Sequence, residues 1–178
     1  MTDTAHHLVQ FFRDDEIRMD AVERYIREGL LAGDTCVVVA TAAHLRDFES
    51  RLSAAGVDPV AVSADYRYVP LDADDMLATF FDIQTGRIDM PRFHHTFGLL
   101  VTQAASRGQP VRIFGELVSV LVDRGWPEIA IQLEDLWNEL TRHHNFTLFC
   151  TYQVSPFTEN PRYRQLLYGA HSHVLPDF

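Results

Sequence analysis

Glu116 is the residue best placed to do chemistry. It closes the run Val111-Arg-Ile-Phe-Gly-Glu116, where a short β-rich stretch breaks at Gly115 straight into an apolar helical run. In an open α/β sheet, a carboxylate at such a hinge faces the crevice outside the carboxyl ends of the strands, where ligands sit. A helix N-terminus also favours a carboxylate by ~0.3–1 kcal/mol with no ligand at all. The second constellation is Cys150 with His7. If the runs 7–12 and 145–152 are neighbouring strands, a thiol and an imidazole meet inside the sheet and can contact a ligand. A thiol packed as a small hydrophobe beside a hydrogen-bonded histidine explains the same residues.

Histidine is the third signal. Nine occur, in the pairs His6-His7, His94-His95 and His143-His144, at His44, and in His171-Ser-His173. Adjacent helical residues point about 100° apart, so a His-His pair on one helix rarely serves one ion. His171 and His173 on one face of an extended tail are the best metal candidate. A packed or solvated tail accounts for them better, and neither a metal nor a cofactor is assigned. There is no Gly-x-Ser-x-Gly elbow, His-Glu-x-x-His pair, Cys-x-x-Cys, Gly-x-Gly-x-x-Gly or kinase signature. The chain has no lysine, which excludes a P-loop lysine, a Schiff-base lysine and a lysine general base together.

These residues need a scaffold, and the periodicity supplies one. Runs at 7–12, 35–40, 66–71, 111–114 and 145–152 read as strands. Between them Met19, Val22, Ile26 and Leu30, then Leu45, Phe48 and Leu52, recur at helical spacing. So do Met76, Leu77, Phe80 and Phe81; Phe93, Phe97, Leu100, Val101 and Ala104; and Ile129, Leu133, Leu136, Trp137 and Leu140. Thr41 and Asp72 are expected N-caps, Gly29 and Gly33 help end the first helix, and Pro70 marks a strand end or edge. A last short helix is expected over 162–168. Alternation of strand and helix predicts a three-layer α/β/α fold with a five-stranded, mainly parallel sheet. Right-handed crossovers place Arg13, Asp14, Asp15, His44, Asp72, Glu116 and Gln153 along one edge of it.

At 178 residues the chain fits one domain, 1–178, with no need of a disulfide or metal for stability. Cys36 and Cys150 lie in apolar runs and read as buried reduced thiols. A net charge of −10 without a basic patch argues against nucleic acid. No apolar run approaches the ~18 residues of a membrane span. The start, Met-Thr-Asp-Thr-Ala-His-His, lacks signal-peptide character, so a cytoplasmic protein is expected.

Several blocks together resemble a known family: His7-Leu-Val-Gln-Phe-Phe, residues 29–44, Val111-Arg-Ile-Phe-Gly-Glu116, Leu133-Glu-Asp-Leu-Trp-Asn138, Leu148-Phe-Cys-Thr-Tyr152 and His171-Ser-His-Val-Leu-Pro. In this order, over almost the whole chain, they are similar to the MEDS sensory domain, named from methanogens, methylotrophs and the dichloromethane regulator. The resemblance implies a RecA/KaiC-like fold that has lost its phosphate loop, and Arg13-Asp-Asp-Glu stands where that loop would be, so ATP hydrolysis is not expected. It further implies sensing of small hydrocarbon derivatives, with His7, Arg112, Glu116, Trp137, Asn138, Cys150 and Tyr152 as ligand and framework residues beside Arg13, Asp14 and His44 at the edge. Such domains usually feed a transcription regulator or histidine kinase. No output module follows here, so a partner signalling protein is expected, with room for a homodimer. The alternatives are a ligand-free interaction module acting on a kinase or sigma-factor pathway, and an enzyme using Glu116 with a histidine.

Overall fold

The computed structural model describes residues 6–176, and at Pro156 the backbone alone. The start of the chain from Met1 to Ala5, part of the stretch expected to lack signal-peptide character, lies outside the described residues. Strand β1 (His6–Phe12) leads into helix α1 (Asp15–Ala32), whose N-cap Asp14 accepts a hydrogen bond from the Ile17 N–H. Next come β2 (Thr35–Ala40), buried along its whole length, and α2 (Ala42–Ala54), capped by Thr41 as expected. Helix α3 (Pro59–Ala64) was not foreshadowed by periodicity, because six residues with none buried carry no apolar stripe.

Strand β3 (Tyr68–Asp72) ends in Asp72, which caps α4 (Ala73–Phe80) through the N–H groups of Asp74 and Asp75. A hairpin of β4 (Phe81–Asp82) and β5 (Arg87–Ile88) then precedes α5 (Met90–Ala104). The chain continues through β6 (Val111–Gly115), α6 (Leu117–Asp123), α7 (Pro127–His143) and β7 (Thr147–Gln153). It closes with α8 (Pro156–Glu159), α9 (Pro161–Ala170) and β8 (His173–Val174).

Among the described residues the main sheet is six-stranded in the order β3-β2-β6-β7-β1-β8, and every pair in it is parallel. This corrects the expectation of five strands. The sixth is β8, which pairs Leu8 with His173 and Val9 with Val174, and two residues show no period-2 pattern from which to read a strand. The strand containing Pro70 is the opposite edge, the place where a missing ladder N–H is tolerated.

Side chains alternate across the pleat, so each strand feeds two cores. One holds Cys36, Val38, Phe114 and Phe149 against Met19, Val22, Ile26 and Leu30 of α1 and Phe48 and Leu52 of α2. The other holds Val37, Ile113, Leu148, Cys150 and Tyr152 against α4 to α7 and α9. Of the two glycines expected to end α1, Gly33 does so in the left-handed conformation, with φ 93°. Gly29 lies inside the helix instead. A Cβ there would come within 2.7 Å of Cys36 Sγ and of the Arg112 side chain, so its role is close approach of helix to sheet. Among the described residues no helix is long and apolar enough to cross a membrane.

Candidate functional site

Two histidine–carboxylate clusters stand out, on opposite faces of the sheet. The first is built on Glu116. Its backbone N–H extends the β2–β6 ladder to the Val39 carbonyl at 2.9 Å, which fixes the residue at the carboxyl edge as expected. Its side chain makes no cap bond with α6. It turns to the start of α2, where Oε2 accepts from the Thr41 N–H at 2.9 Å and Oε1 lies 2.5 Å from His44 Nδ1. Arg18 Nη1 is 3.4 Å from the same Oε1 and also pairs with Asp15. This acid therefore stands at two helix N-termini, that of α6 by position and that of α2 through its side chain. The hydrogen bond that the ring donates to Glu116 raises the His44 pKa, against the opposing effect of burial. Desolvation raises that of the nearby Asp123. Both carboxylate oxygens of Glu116 are thus engaged within the chain.

The second cluster is buried between β1, β7, α7 and the α9–β8 connection. The β1–β7 register pairs Val9 with Cys150, and His7 Nε2 lies 3.5 Å from Cys150 Sγ, so the expected meeting of thiol and imidazole occurs. Sequence reasoning missed the centre of the cluster, Glu134. This wholly buried carboxylate has Oε2 3.1 Å from His7 Nε2 and Oε1 3.4 Å from His171 Nε2, and it accepts from the Tyr152 hydroxyl at 2.6 Å. The available signal was a lone acid in the buried stripe of α7 formed by Ala130, Leu133, Trp137 and Leu140. His171 arrives because Ser172 bonds the His7 backbone on both sides, seating the His171 ring 4.0 Å from that of His7. His173, by contrast, is exposed, with its ring 4.9 Å from that of His6, so the proposed His171–His173 pairing is corrected to His171 with His7.

Electrostatics follow from burial. Desolvation works to raise the Glu134 pKa, but His171 and His7 outweigh it and the net shift is downward, to a carboxylate. For His171 desolvation alone would favour the neutral ring, and Glu134 reverses this to a net rise. Burial, reinforced by the Glu134 charge, pushes the Cys150 thiol and the Tyr152 phenol well up. Cys36, the other free buried thiol, is raised to about 12 by desolvation. Burial thus favours the protonated thiol at both cysteines.

The remaining expected residues scatter. Arg112 sits at the opposite, amino end of the strands, with Nε 2.6 Å from Asp34 Oδ2 and its guanidinium over the Tyr25 ring. Trp137 is buried among Phe93, Phe97 and Phe146. Arg13 is exposed 3.9 Å from Glu159, and Asp14 is the α1 cap. Asn138 is the most informative of them. Its Oδ1 is 3.0 Å from His7 Nδ1, and its Nδ2 donates to the Ala170 carbonyl at 2.7 Å, tying α7 to both β1 and α9. It also lines a groove of about 1000 Å³ between α7 and α9, with Met90, Ile131, Leu136, Leu166 and Ala170.

No curated protein matches the chain. Among solved structures it is similar to the KaiC-like protein of the hyperthermophilic archaeon Pyrococcus horikoshii OT3, at TM-score 0.67 and 12% identity over 95% of this chain and 69% of that one. That likeness shows a KaiC-like, RecA-type fold. A nucleotide's phosphates do not suit the first turn here, because Asp14 caps α1 and Asp15 and Glu16 fill its first turn, setting carboxylates where a phosphate needs free N–H groups. Residues 6–166 match the MEDS family, the MEthanogen/methylotroph, DcmR Sensory domain, and with nearly all of its length inside that match the chain belongs to this family of sensory domains.

Proposed function

We propose that the chain is a non-enzymatic sensory module that binds a small, mostly apolar organic molecule and passes the event to a partner signalling protein, a histidine kinase or a transcription regulator. The observation that carries this reading is the α7–α9 groove. Ile131, Leu136, Leu166 and Ala170 offer it an apolar wall, Asp135, Glu139, Arg142 and Arg162 add charge to it, and Asn138 gives a polar contact already bonded to His7 and to the end of α9. Small-molecule sites combine apolar walls with polar groups that fix orientation. A molecule that competes for the Asn138 amide would loosen α9 from α7 and change the surface a partner meets. It shifts that equilibrium only by its differential affinity for the two arrangements, ~1.4 kcal/mol for each tenfold preference.

The Glu116–His44 pair fits a positioning role between α6 and α2, since both carboxylate oxygens are engaged within the chain. The test is native mass spectrometry of the protein as isolated from cells, followed by solvent extraction of what it carries and thermal shifts with dichloromethane, short alcohols and short aldehydes. The expected result is one organic molecule per chain, lost in Leu166→Trp, which fills the groove from its half-exposed rim. Occupancy unchanged in Leu166→Trp would remove the groove. No bound molecule and no thermal shift would favour the ligand-free interaction module.

A further inference from the structure

We propose that His7, Glu134, Cys150 and His171 form a binding site for one divalent zinc-like cation, independent of any ligand in the α7–α9 groove. The four residues come from β1, α7, β7 and the segment after α9, all are buried, and one ligand atom from each lies within 4.8 Å of the others. A tetrahedral zinc site with ordinary bond lengths has edges of roughly 3.4 Å between N and O donors and roughly 3.6 Å where sulfur takes part. Glu134 Oε2 lies 3.1 Å from His7 Nε2 and 3.9 Å from Cys150 Sγ, its Oε1 lies 3.4 Å from His171 Nε2, and Cys150 Sγ is 3.5 Å from His7 Nε2. Four donors gathered this closely in a buried site come within reach of one ion after small side-chain shifts.

The surroundings match as well. A ligating histidine holds its second ring nitrogen to a carbonyl or similar acceptor, which turns the free lone pair toward the metal. His7 does so through Nδ1 to Asn138 Oδ1 at 3.0 Å, and His171 through Nδ1 to the Leu167 carbonyl at 2.6 Å. Glu134 is oriented by the Tyr152 hydroxyl. His171 Nε2 is buried without a hydrogen-bond partner, because the Glu134 oxygen 3.4 Å away is close enough to attract it but misaligned for a bond. A cation between the two would satisfy both.

The charges balance in either condition. Without metal, one proton offsets the Glu134 carboxylate. Binding of M²⁺ releases two protons to water, that one and the Cys150 thiol proton, one M–S bond forming as the S–H bond breaks, and no redox change occurs. One thiolate, one carboxylate and two neutral imidazoles around a divalent ion then sum to zero, the least costly charge for a dry interior. Sulfur with imidazole selects zinc over magnesium or calcium. The adjoining groove, bordered by Asn138 and Ala170, offers a way in one residue from His171.

The whole chain, stripped with a chelator, is titrated with Zn²⁺ against a chromophoric competitor and separately with Co²⁺. The expected results are one zinc per chain and a cobalt spectrum with a near-ultraviolet thiolate band and intense visible bands of tetrahedral cobalt. Cys150→Ser should lose the thiolate band, and His171→Ala should weaken zinc binding at least 100-fold. Asn138→Ala should weaken it about 10–100-fold through His7, and His173→Ala should leave it unchanged. Because a core variant can misfold, the wild-type cobalt spectrum stands by itself. Stoichiometry near zero, or cobalt bound without a thiolate band, overturns the proposal whatever the variants do.

Discussion

Glu134 and Glu116 are each a carboxylate flanked by histidine, and they behave differently because of what lies around them. Around Glu116, Arg18 supplies a guanidinium that stays charged at any ordinary pH, and the His44 side chain is 24% exposed, so water reaches the pair. Around Glu134 stand two imidazoles, a phenol and a thiol, and the side chains of Glu134 and His171 are 0% exposed. At the edge a permanent cation and solvent therefore stand beside the carboxylate. Around Glu134 the counter-charge comes from the imidazoles. The same pair of residue types is a tether in one place and a poised charge in the other, and desolvation makes the difference.

Removing one carboxylate at a time is the most direct way to break this comparison. Glu134→Ala should cost about 3–5 kcal/mol in urea unfolding with chelator present, because it leaves buried polar partners uncompensated. Glu116→Ala should cost less, about 1.5–3 kcal/mol, since Arg18 retains Asp15 and solvent. Equal losses would dissolve the distinction. A pH series sharpens it. The His44 pKa is raised in the folded state by its bond to Glu116, so its stabilisation is complete below the ordinary histidine value and fades as pH rises through the raised one. Unfolding midpoints between about pH 6 and pH 9 should fall in wild type more than in Glu116→Gln; parallel curves would detach His44 from the effect.

Smaller effects are expected at the exposed end of the same edge. Asp14→Ala should cost about 1 kcal/mol through loss of the α1 cap, read from the same unfolding curves. Arg13→Ala should cost less than about 0.5 kcal/mol, since its pair with Glu159 is solvent-exposed on both sides. A large change in ligand occupancy for either would move the binding site back to the strand edge.

Local chemistry determined much of this molecule from its sequence. The run at 35–40 read as a strand, and β2 is one, buried along its length. The spacing of Met19, Val22, Ile26 and Leu30 demanded a helix on the sheet, and Thr41 and Asp72 marked two helix starts that the folded chain uses. The likeness of whole blocks to MEDS carried the family, and the Gly115-Glu116 hinge put one acid at the carboxyl edge. These signals lie within a turn or two of chain, where backbone geometry and burial act directly on neighbouring residues.

Tertiary structure alone decided what those acids meet. Glu116 turns from its own helix to α2, 72 residues away in sequence from His44. Two-residue β8, too short for any pattern, is what carries His171 back beside His7. Glu134 and His171 look, in sequence, like a stray charge in a helix and a histidine in a tail. They become one cluster only because the sheet order sets β1 between β7 and β8, and no local preference encodes that order. It is fixed by which apolar faces can be buried together, a property of the whole chain.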